Sequence, residues 1–561
     1  MKHIIWRWWP QTTITLFRLP VVHPWQMTLF VALVFLTFYN QSFWKTFLAA
    51  TGGVQSANIP LYIGSFALLL LVFNAFLCLM SFRFVLKPVL IVLLFLGAFA
   101  SYFIDRYGIA IDASMVQNVF ETDVGEAKDL VSFSLLLQVV WLGVIPSFLI
   151  VRVPVRYPSM LHGALTNVAF LMVSLALSSA LLMLLFKTLA PVVRENRQMR
   201  FLLTPTNVVQ ATKTYVKRKL EQPVIVAPLG TDAVKGKLWV GQPRRTVTIL
   251  VVGETARAMN FSLNGYARDT NPLLSKQDGL LNFSRMQSCG TATAVSLPCV
   301  FSGYTREDYS EGKAKSREGL LDVLERAGID VLWRDNNSGC KGVCDRVPFE
   351  NLSQPAPGDP LCSTEECYDE RLLQGLPELI RNAKNDLVIV LHQKGSHGPA
   401  YRKRYPPAFE RFGPVCSTNE VAKCSRESIV AAYDNTIAYT DYFLSKTIDL
   451  LRTSGAEADV DTALMYFSDH GESLGENNMY LHGAPYIISP EEQRSIPFML
   501  WLDDGFQRRF AVNQQCLLAR RDQEFSHDNV FHSVLGMLNI KTLVYKPQLD
   551  LFQACTDANR S

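Results

Sequence analysis

The stretch TVTILVVGETARAMN, residues 246–260, decides the fold of the larger part of this chain. Its first seven residues are apolar or β-branched with no polar alternation, so both faces of the strand they form must be buried. That is the pattern of an inner strand in a parallel sheet. Two further runs read the same way, LVIVL at 387–391 and TALMYF at 462–467, and helical stretches at 320–327 and 428–451 lie among them. Strands and helices in this alternation predict an α/β doubly wound domain. In such a domain ligands bind beyond the carboxyl ends of the strands.

The polar residues stand at those ends. The first strand runs into Gly253-Glu254-Thr255, the last into Ser468-Asp469-His470-Gly471-Glu472, and the middle one into His392 and then Gly395-Ser396-His397-Gly398. A single strand-end acid usually caps the next helix. Three strand ends bearing carboxylates and imidazoles point instead to a zinc-type centre with mixed nitrogen and oxygen ligands. Glu472 is placed to accept a hydrogen bond from a ligating histidine, and His392 reads as a strand-end packing residue.

The composition changes upstream. The first 190 residues carry 17 charged side chains, whereas the remaining 371 carry 87. Five apolar runs fall in the sparsely charged part, at 27–47, 60–80, 88–104, 131–151 and 164–186, each near the roughly 20 residues that span a bilayer. The first lies too far into the chain and lacks the small-residue cleavage site of a signal peptide, so it reads as a retained anchor. Basic residues concentrate before the first run (Lys2, Arg7, Arg18), between the second and third (Arg83, Lys87) and between the fourth and fifth (Arg152, Arg156). The loop at 49–59 has no charge, and the loop after the third run holds Asp105, Asp112, Glu121, Asp123, Glu126 and Asp129 against Arg106 and Lys128. The N-terminus is therefore expected in the cytoplasm and everything after Lys187 outside. Three segments follow: a five-helix transmembrane domain at 1–190, a connector at 191–243 with an interfacial helix interrupted at Pro205, and a catalytic domain at 244–561. The part after residue 190 has a net charge of −1 and no basic cluster, which excludes a nucleic-acid partner. An apolar content of 49% excludes disorder.

Only Cys78 of the 11 cysteines lies in the membrane part. The other ten group by proximity as Cys289/Cys299, Cys340/Cys344, Cys362/Cys367 and Cys416/Cys424, leaving Cys516/Cys555. With no CxxC pair to suggest zinc thiolates, they read as loop-stapling disulfides of an oxidising compartment.

The segments VVGETARAMNFSLNGYARDTNP, SCGTATAVSLPCVFSGY, RDNNSGCKGVCD, LHQKGSHGPAY, SDHGESLGENNMYLHGAPY and SHDNVFHSVLGML occur in the order found in bacterial phosphoethanolamine transferases. The chain resembles this family, which includes the lipid A-modifying and mobilised colistin resistance enzymes, over its whole length. The resemblance implies five membrane helices before an alkaline phosphatase/sulfatase-like domain. It makes Thr293 the nucleophile, beside a zinc ion held by Glu254, Asp469, His470 and the Thr293 hydroxyl; the residues alone leave Thr291 and Thr293 open. His397 and His482 match phosphate-binding or second-zinc histidines, and Lys341 matches a basic residue near the phosphate. Asn118, Thr122 and Glu126, at four-residue spacing in the acidic loop, match contacts to phosphoethanolamine, so the site is expected to straddle the compositional boundary.

The implied reaction moves phosphoethanolamine from phosphatidylethanolamine to a lipopolysaccharide acceptor, lipid A phosphate foremost, through a threonine-bound intermediate. An added amine lowers surface anionic charge, and polymyxin resistance follows. Other readings within the fold are phosphoethanolamine or phosphoglycerol transfer to a core heptose or a periplasmic glucan. Met259-Asn260 stands where lipid A-modifying relatives often carry Asp-His, which leaves the acceptor open. A sulfatase is disfavoured because the segment is Thr293-Ala294-Val295-Ser296-Leu297, without the Pro and Arg that follow a sulfatase nucleophile. A metal sensor without turnover is disfavoured by the complete set of reactive groups. The expected protein is a monomer of the bacterial inner membrane with its catalytic domain in the periplasm.

Overall fold

The structure is a computed structural model that describes residues 20–53, 58–121, 124–220, 225–355 and 358–556. The chain divides into two compact units, one within Met1–Tyr102 and Ser134–Pro205, the other within Phe103–Phe133 and Thr206–Ser561. The acidic loop thus belongs to the second unit, although its composition groups it with the first.

Four helices of the described residues are long and apolar enough to cross a membrane: Ile59–Cys78, Leu86–Tyr107, Phe133–Arg152 and Leu161–Arg194. The run expected at 27–47 is a pair, Pro24–Phe38 and Gln41–Ala50, bent by 64°, so the count is four, or five if the pair is one span. Asn40 sits at the bend and accounts for it. Its Nδ2 donates to the Phe35 carbonyl (2.9 Å) and the Thr204 carbonyl (2.7 Å), and its Oδ1 accepts from the Thr204 N–H (2.8 Å). A buried amide so used meets backbone groups that a continuous helix would pair internally. Large apolar side chains such as Leu161, Met183 and Leu184 are left exposed, which in a helix of this composition marks the lipid-facing side.

The second unit is built on an eight-stranded sheet: β1 (Arg245–Gly253), β2 (Leu281–Gln287), β3 (Asp330–Asp335), β4 (Phe349–Asn351), β5 (Leu387–His392), β6 (Val460–Ser468), β7 (Ser495–Leu502) and β8 (Phe525–Ser526). The spatial order is β8-β2-β7-β6-β1-β5-β3-β4. All neighbouring pairs are parallel except those made by β7, which runs against both β6 and β2. The three strands read from the sequence, β1, β5 and β6, are the central ones. From Thr246 to Gly253 every residue of β1 is buried, as are all of β5 and β6, and this is why their sequences lack alternation. Register brings their carboxyl ends level: Gly253 pairs with Ser468, and Val252 and Asp335 both pair with His392.

Five disulfides staple this unit: Cys289–Cys299, Cys340–Cys344, Cys362–Cys367, Cys416–Cys424 and Cys516–Cys555. Cys78 is free and buried. Helix His527–Met537 begins with a buried histidine that ties two strand ends together. His527 Nδ1 accepts from the Cys289 N–H (3.0 Å), and its Nε2 lies 3.0 Å from the Ser468 carbonyl. Burial lowers this imidazole from 6.5 to about 4. The unfolded chain therefore takes up the proton first as pH falls. The stabilisation is whole above about pH 6.5 and drains towards about pH 4, amounting to about 3 kcal/mol across the window. Melting of the full chain in detergent at pH 7 and pH 5 is expected to show a loss of stability at pH 5 that His527→Gln reduces. Equal slopes in the two proteins would remove His527 as its source.

Candidate active site

The residue after β1 is Glu254, and the two after β6 are Asp469 and His470, so level strand ends place three potential ligands together. His470 Nε2 lies 3.4 Å from Glu254 Oε1 and 3.3 Å from Asp469 Oδ2. All three residues are essentially inaccessible, and their donor atoms lie within 4.8 Å of one another. Asp469 Oδ1 accepts from the N–H groups of Thr255 (3.1 Å) and His470 (2.7 Å), whereas Asp469 Oδ2 and Glu254 Oε1 have no hydrogen-bond partner among the described residues. Burial, followed by the charges of Asp469 and Glu126, pushes Glu254 well above the usual carboxylate range. Burial lowers His470. Its Nδ1 faces the Gly471 carbonyl at 2.9 Å, which places a proton there and leaves the Nε2 lone pair for a ligand.

Two buried carboxylate oxygens with no donor, aimed at an imidazole lone pair, are costly unless a cation joins them. The spacing suits one, since tetrahedral donors about 2.1 Å from a shared zinc ion lie about 3.4 Å apart. The donor set therefore fits a metal centre.

Thr293 completes the group. It is the first residue of helix Thr293–Ser302, whose N-cap Ala292 has no capping side chain. The first amides of the helix thus point out of its N-terminus, where a phosphate is favoured. Thr293 Oγ1 donates to Glu254 Oε2 (3.1 Å) and lies 3.4 Å from His470 Nε2. Thr291, the other threonine of the motif, donates its hydroxyl to the Ala484 carbonyl (2.6 Å). The two threonines are thus separated by their surroundings, and only Thr293 faces the carboxylate–imidazole group.

The backbone around Glu254 is tightly constrained. Thr255 adopts a left-handed φ of 50°, and its carbonyl accepts from Tyr433 Oη at 2.6 Å. Gly395 packs on Glu254 so closely that a Cβ there would lie 2.5 Å from the Glu254 carbonyl oxygen. Behind Glu254 runs a polar chain that sequence reasoning missed. Asn337 Nδ2 donates to Glu254 Oε2 (2.7 Å) and lies 3.2 Å from His392 Nε2, while His392 Nδ1 meets Asp335 Oδ2 at 2.8 Å. Trp333 Nε1 donates to the same Asp335 oxygen at 2.9 Å. His392, read as a packing residue, is instead part of the support that orients Glu254. The signal was a short apolar run at 331–333 running into Arg334-Asp335-Asn336-Asn337 after a helix, which is β3 and its exit.

The remaining site residues read from the sequence are distributed as follows. His482 Nδ1 meets Glu472 Oε2 at 2.7 Å, and Tyr401 Oη donates to Glu472 Oε1 at 2.6 Å. Burial lowers His482, but Glu472 more than offsets it and the net shift is upward. The His482 ring lies 4.5 Å from His470 and 5.2 Å from His397. His397 is held well below its ordinary value by burial and by His482 and Lys394, and its buried Nδ1 has no hydrogen-bond partner among the described residues. Lys341, at a left-handed φ of 52° within the Cys340–Cys344 staple, bonds to the Ser338 hydroxyl (3.1 Å) and carbonyl (3.2 Å) and the Glu121 carbonyl (3.3 Å). Its ammonium thus sits at the loop beside Asn337.

Asn118 lies on helix Ala113–Glu121 and Glu126 on helix Val124–Leu130; Thr122 lies outside the described residues. Asn118 is set against the turn after His482, where a Cβ on Gly483 would lie 3.4 Å from its Nδ2. Glu126 is buried and receives Lys394 Nζ at 3.0 Å, and Asp129 receives Lys403 Nζ (2.6 Å) and an Arg404 nitrogen (2.9 Å). Burial raises Glu126, but Lys394, Lys341 and Arg404 more than offset it and hold the carboxyl ionised. Glu126 and Asp129 are therefore engaged by cations of the same compact unit.

Residues 69–220 match the family Phosphoethanolamine transferase EptA/EptB, and residues 246–540 match the family Sulfatase. The chain is 41% identical over 518 residues to phosphoethanolamine transferase EptA of Escherichia coli strain K12, covering 92% of this chain and 94% of that one. It is 42% identical over 433 residues to phosphatidylethanolamine transferase Mcr-1 of Escherichia coli, covering 75% and 79%. Its structure is similar to the integral membrane protein lipooligosaccharide phosphoethanolamine transferase A (EptA) from Neisseria meningitidis, with a TM-score of 0.91, 35% identity and coverage of 96% of this chain and 100% of that one.

Proposed function

Because the chain belongs to the EptA family of phosphoethanolamine transferases, we propose that it transfers phosphoethanolamine from phosphatidylethanolamine to a phosphate of lipid A, by way of a covalent intermediate on Thr293. One observation carries this reading. A hydroxyl at a helix N-terminus donates to Glu254 Oε2 and lies 3.4 Å from His470 Nε2, the nitrogen at which two buried carboxylate oxygens with no partner among the described residues also converge, in a chain that also has helices long and apolar enough to span a membrane. The unit that holds the site is placed in the periplasm, where both lipids present their headgroups.

Glu254, Asp469, His470 and the Thr293 hydroxyl would hold a zinc ion. Bound there, it would lower the pKa of the hydroxyl and offset the charge that develops on phosphorus. The chain's own groups do the rest. Thr293 Oγ1 forms a bond to the donor phosphorus, the phosphorus–oxygen bond to diacylglycerol breaks, and that oxygen leaves with the electron pair and takes up a proton. The proton that Thr293 gives up starts out directed at Glu254 Oε2. In the second half an oxygen of the acceptor phosphate, already anionic and in no need of a base, attacks the same phosphorus; the phosphorus–Oγ1 bond breaks, and Thr293 Oγ1 leaves with the electron pair and regains a proton. His397, His482 and Lys341 hold the phosphate oxygens, with Glu472 fixing the His482 ring. Asn118, Thr122 and Glu126 receive the ethanolamine end, the ionised Glu126 carboxylate matching its ammonium. The product carries an added amine, so the membrane surface binds cationic peptides less strongly.

Mass spectrometry of lipid A from cells with and without the protein tests this reading. Lipid A heavier by one phosphoethanolamine unit is the expected result. The same unit found only on core sugar or glucan would move the acceptor, and no added unit anywhere would end the proposal.

A further inference from the structure

We propose that Lys394 is an internal ammonium that occupies, on the Glu126 carboxylate, the place taken by the donor's ethanolamine ammonium, so that donor binding exchanges one ammonium for another. The inference rests on the reading of Glu126 as the headgroup site.

The root of Lys394 is fixed to the frame of the active site. It stands two residues beyond the end of β5. Its N–H donates to Asp369 Oδ1 (2.7 Å), and the next N–H, that of Gly395, donates to Asp369 Oδ2 (2.9 Å). Gly395 is the residue packed on the Glu254 backbone. From this root the side chain reaches Glu126, with Nζ 3.0 Å from Oε1, and the two side chains are only 12% and 7% exposed. His397 Nε2 lies 3.9 Å from the same Glu126 oxygen, and the His397 and His482 rings lead from there to His470. The carboxylate oxygen holding the lysine is thus the one turned towards the catalytic group.

The end of a lysine and the end of ethanolamine are the same chemical group. Each is a primary ammonium on a methylene, with three N–H donors and one positive charge. A buried carboxylate that accommodates one accommodates the other, and it cannot accommodate both at one oxygen in the same place. The lysine also meets a need of the free protein, since a buried carboxylate left without a cation is costly. Exchange need not release the loop. Helix Val124–Leu130 has a second anchor, Asp129 paired with Lys403 and Arg404, which stays in place when Lys394 moves. Lys394 is therefore a positioning residue that sets how tightly the amine end of the donor is held. The apparent affinity is lowered by the fraction of molecules in which the carboxylate is already taken.

The test uses the full chain in detergent and free ethanolamine as the probe, with binding measured by calorimetry and the KM for phosphatidylethanolamine measured alongside. Lys394→Met is expected to bind ethanolamine about tenfold more tightly or better and to lower that KM. Lys394→Gln, which keeps a donor to Glu126 without the charge, is expected to move the same way by a smaller factor and serves if the Met variant fails to fold. Glu126→Gln is expected to abolish ethanolamine binding with or without Lys394. If the Lys394 variants bind ethanolamine no more tightly while Glu126→Gln still abolishes it, the exchange is wrong and the headgroup reading stands. If Glu126→Gln binds ethanolamine like the wild type, the headgroup reading falls and the exchange with it.

Discussion

Thr293→Ala is expected to remain unlabelled after incubation with phosphatidylethanolamine labelled in its headgroup, whereas the wild-type chain retains the label on one tryptic peptide spanning Thr293. Transfer is expected to fall by about 10³-fold or more, because no other group takes over a nucleophile that forms the covalent bond. The substitution removes one hydroxyl and one methyl group from a partly exposed side chain at a helix start, so the fold has little reason to respond. Thr291→Ala is the control that gives the prediction its edge. Thr291 donates to the Ala484 carbonyl, so its loss is expected to cost a backbone hydrogen bond, about 1 kcal/mol, while labelling survives. Label on Thr293→Ala equal to that on the wild type would remove Thr293 from the chemistry.

The second large effect concerns the carboxylates. Glu254→Gln keeps the size of the side chain and removes its charge, and zinc affinity is expected to fall by well over the roughly 10–100-fold seen when only a supporting group is lost. Transfer falls with it. The same substitution is expected to have the opposite effect on the metal-free protein. In chelator, the wild type holds Glu254 Oε1 and Asp469 Oδ2 buried beside each other with no hydrogen-bond donor. Removing one of the two charges relieves that repulsion. The variant should therefore melt above the wild type in chelator and below it with zinc present. Metal content after dialysis and the two melting curves read this out. Equal zinc content and parallel curves would show that the group is a structural acid cluster and no metal centre.

How far each part could be read depends on the range of the interaction that sets it. The central strands were legible because burial on both faces removes alternation from β1, β5 and β6, and that is a property of consecutive residues. The strand-end residues Glu254, Asp469 and His470 were legible for the same reason, since a strand that stops abruptly shows which residue comes next. β3 was less plain, a short run whose exit residues Asp335 and Asn337 matter only because they reach His392 and Glu254 across the sheet. The reversed strand β7 carries no mark of direction in its sequence, because an apolar run reads alike either way. The bend at Asn40 was hidden for a related reason. A single amide in an apolar run breaks a helix only when partners such as the Thr204 backbone come to meet it.

The sequence by itself determined the two-part organisation, the number of apolar runs, the central parallel strands and the pool of reactive residues, all of which follow from local composition and periodicity. Tertiary structure alone decided which of these residues meet. It separated Thr291 from Thr293 by giving their hydroxyls different acceptors, and it turned His392 from packing into support. It also joined Glu126 to Lys394 across 268 residues of chain. Such pairings are fixed by strand register and by the return of distant loops to one sheet edge. No window of consecutive residues records them.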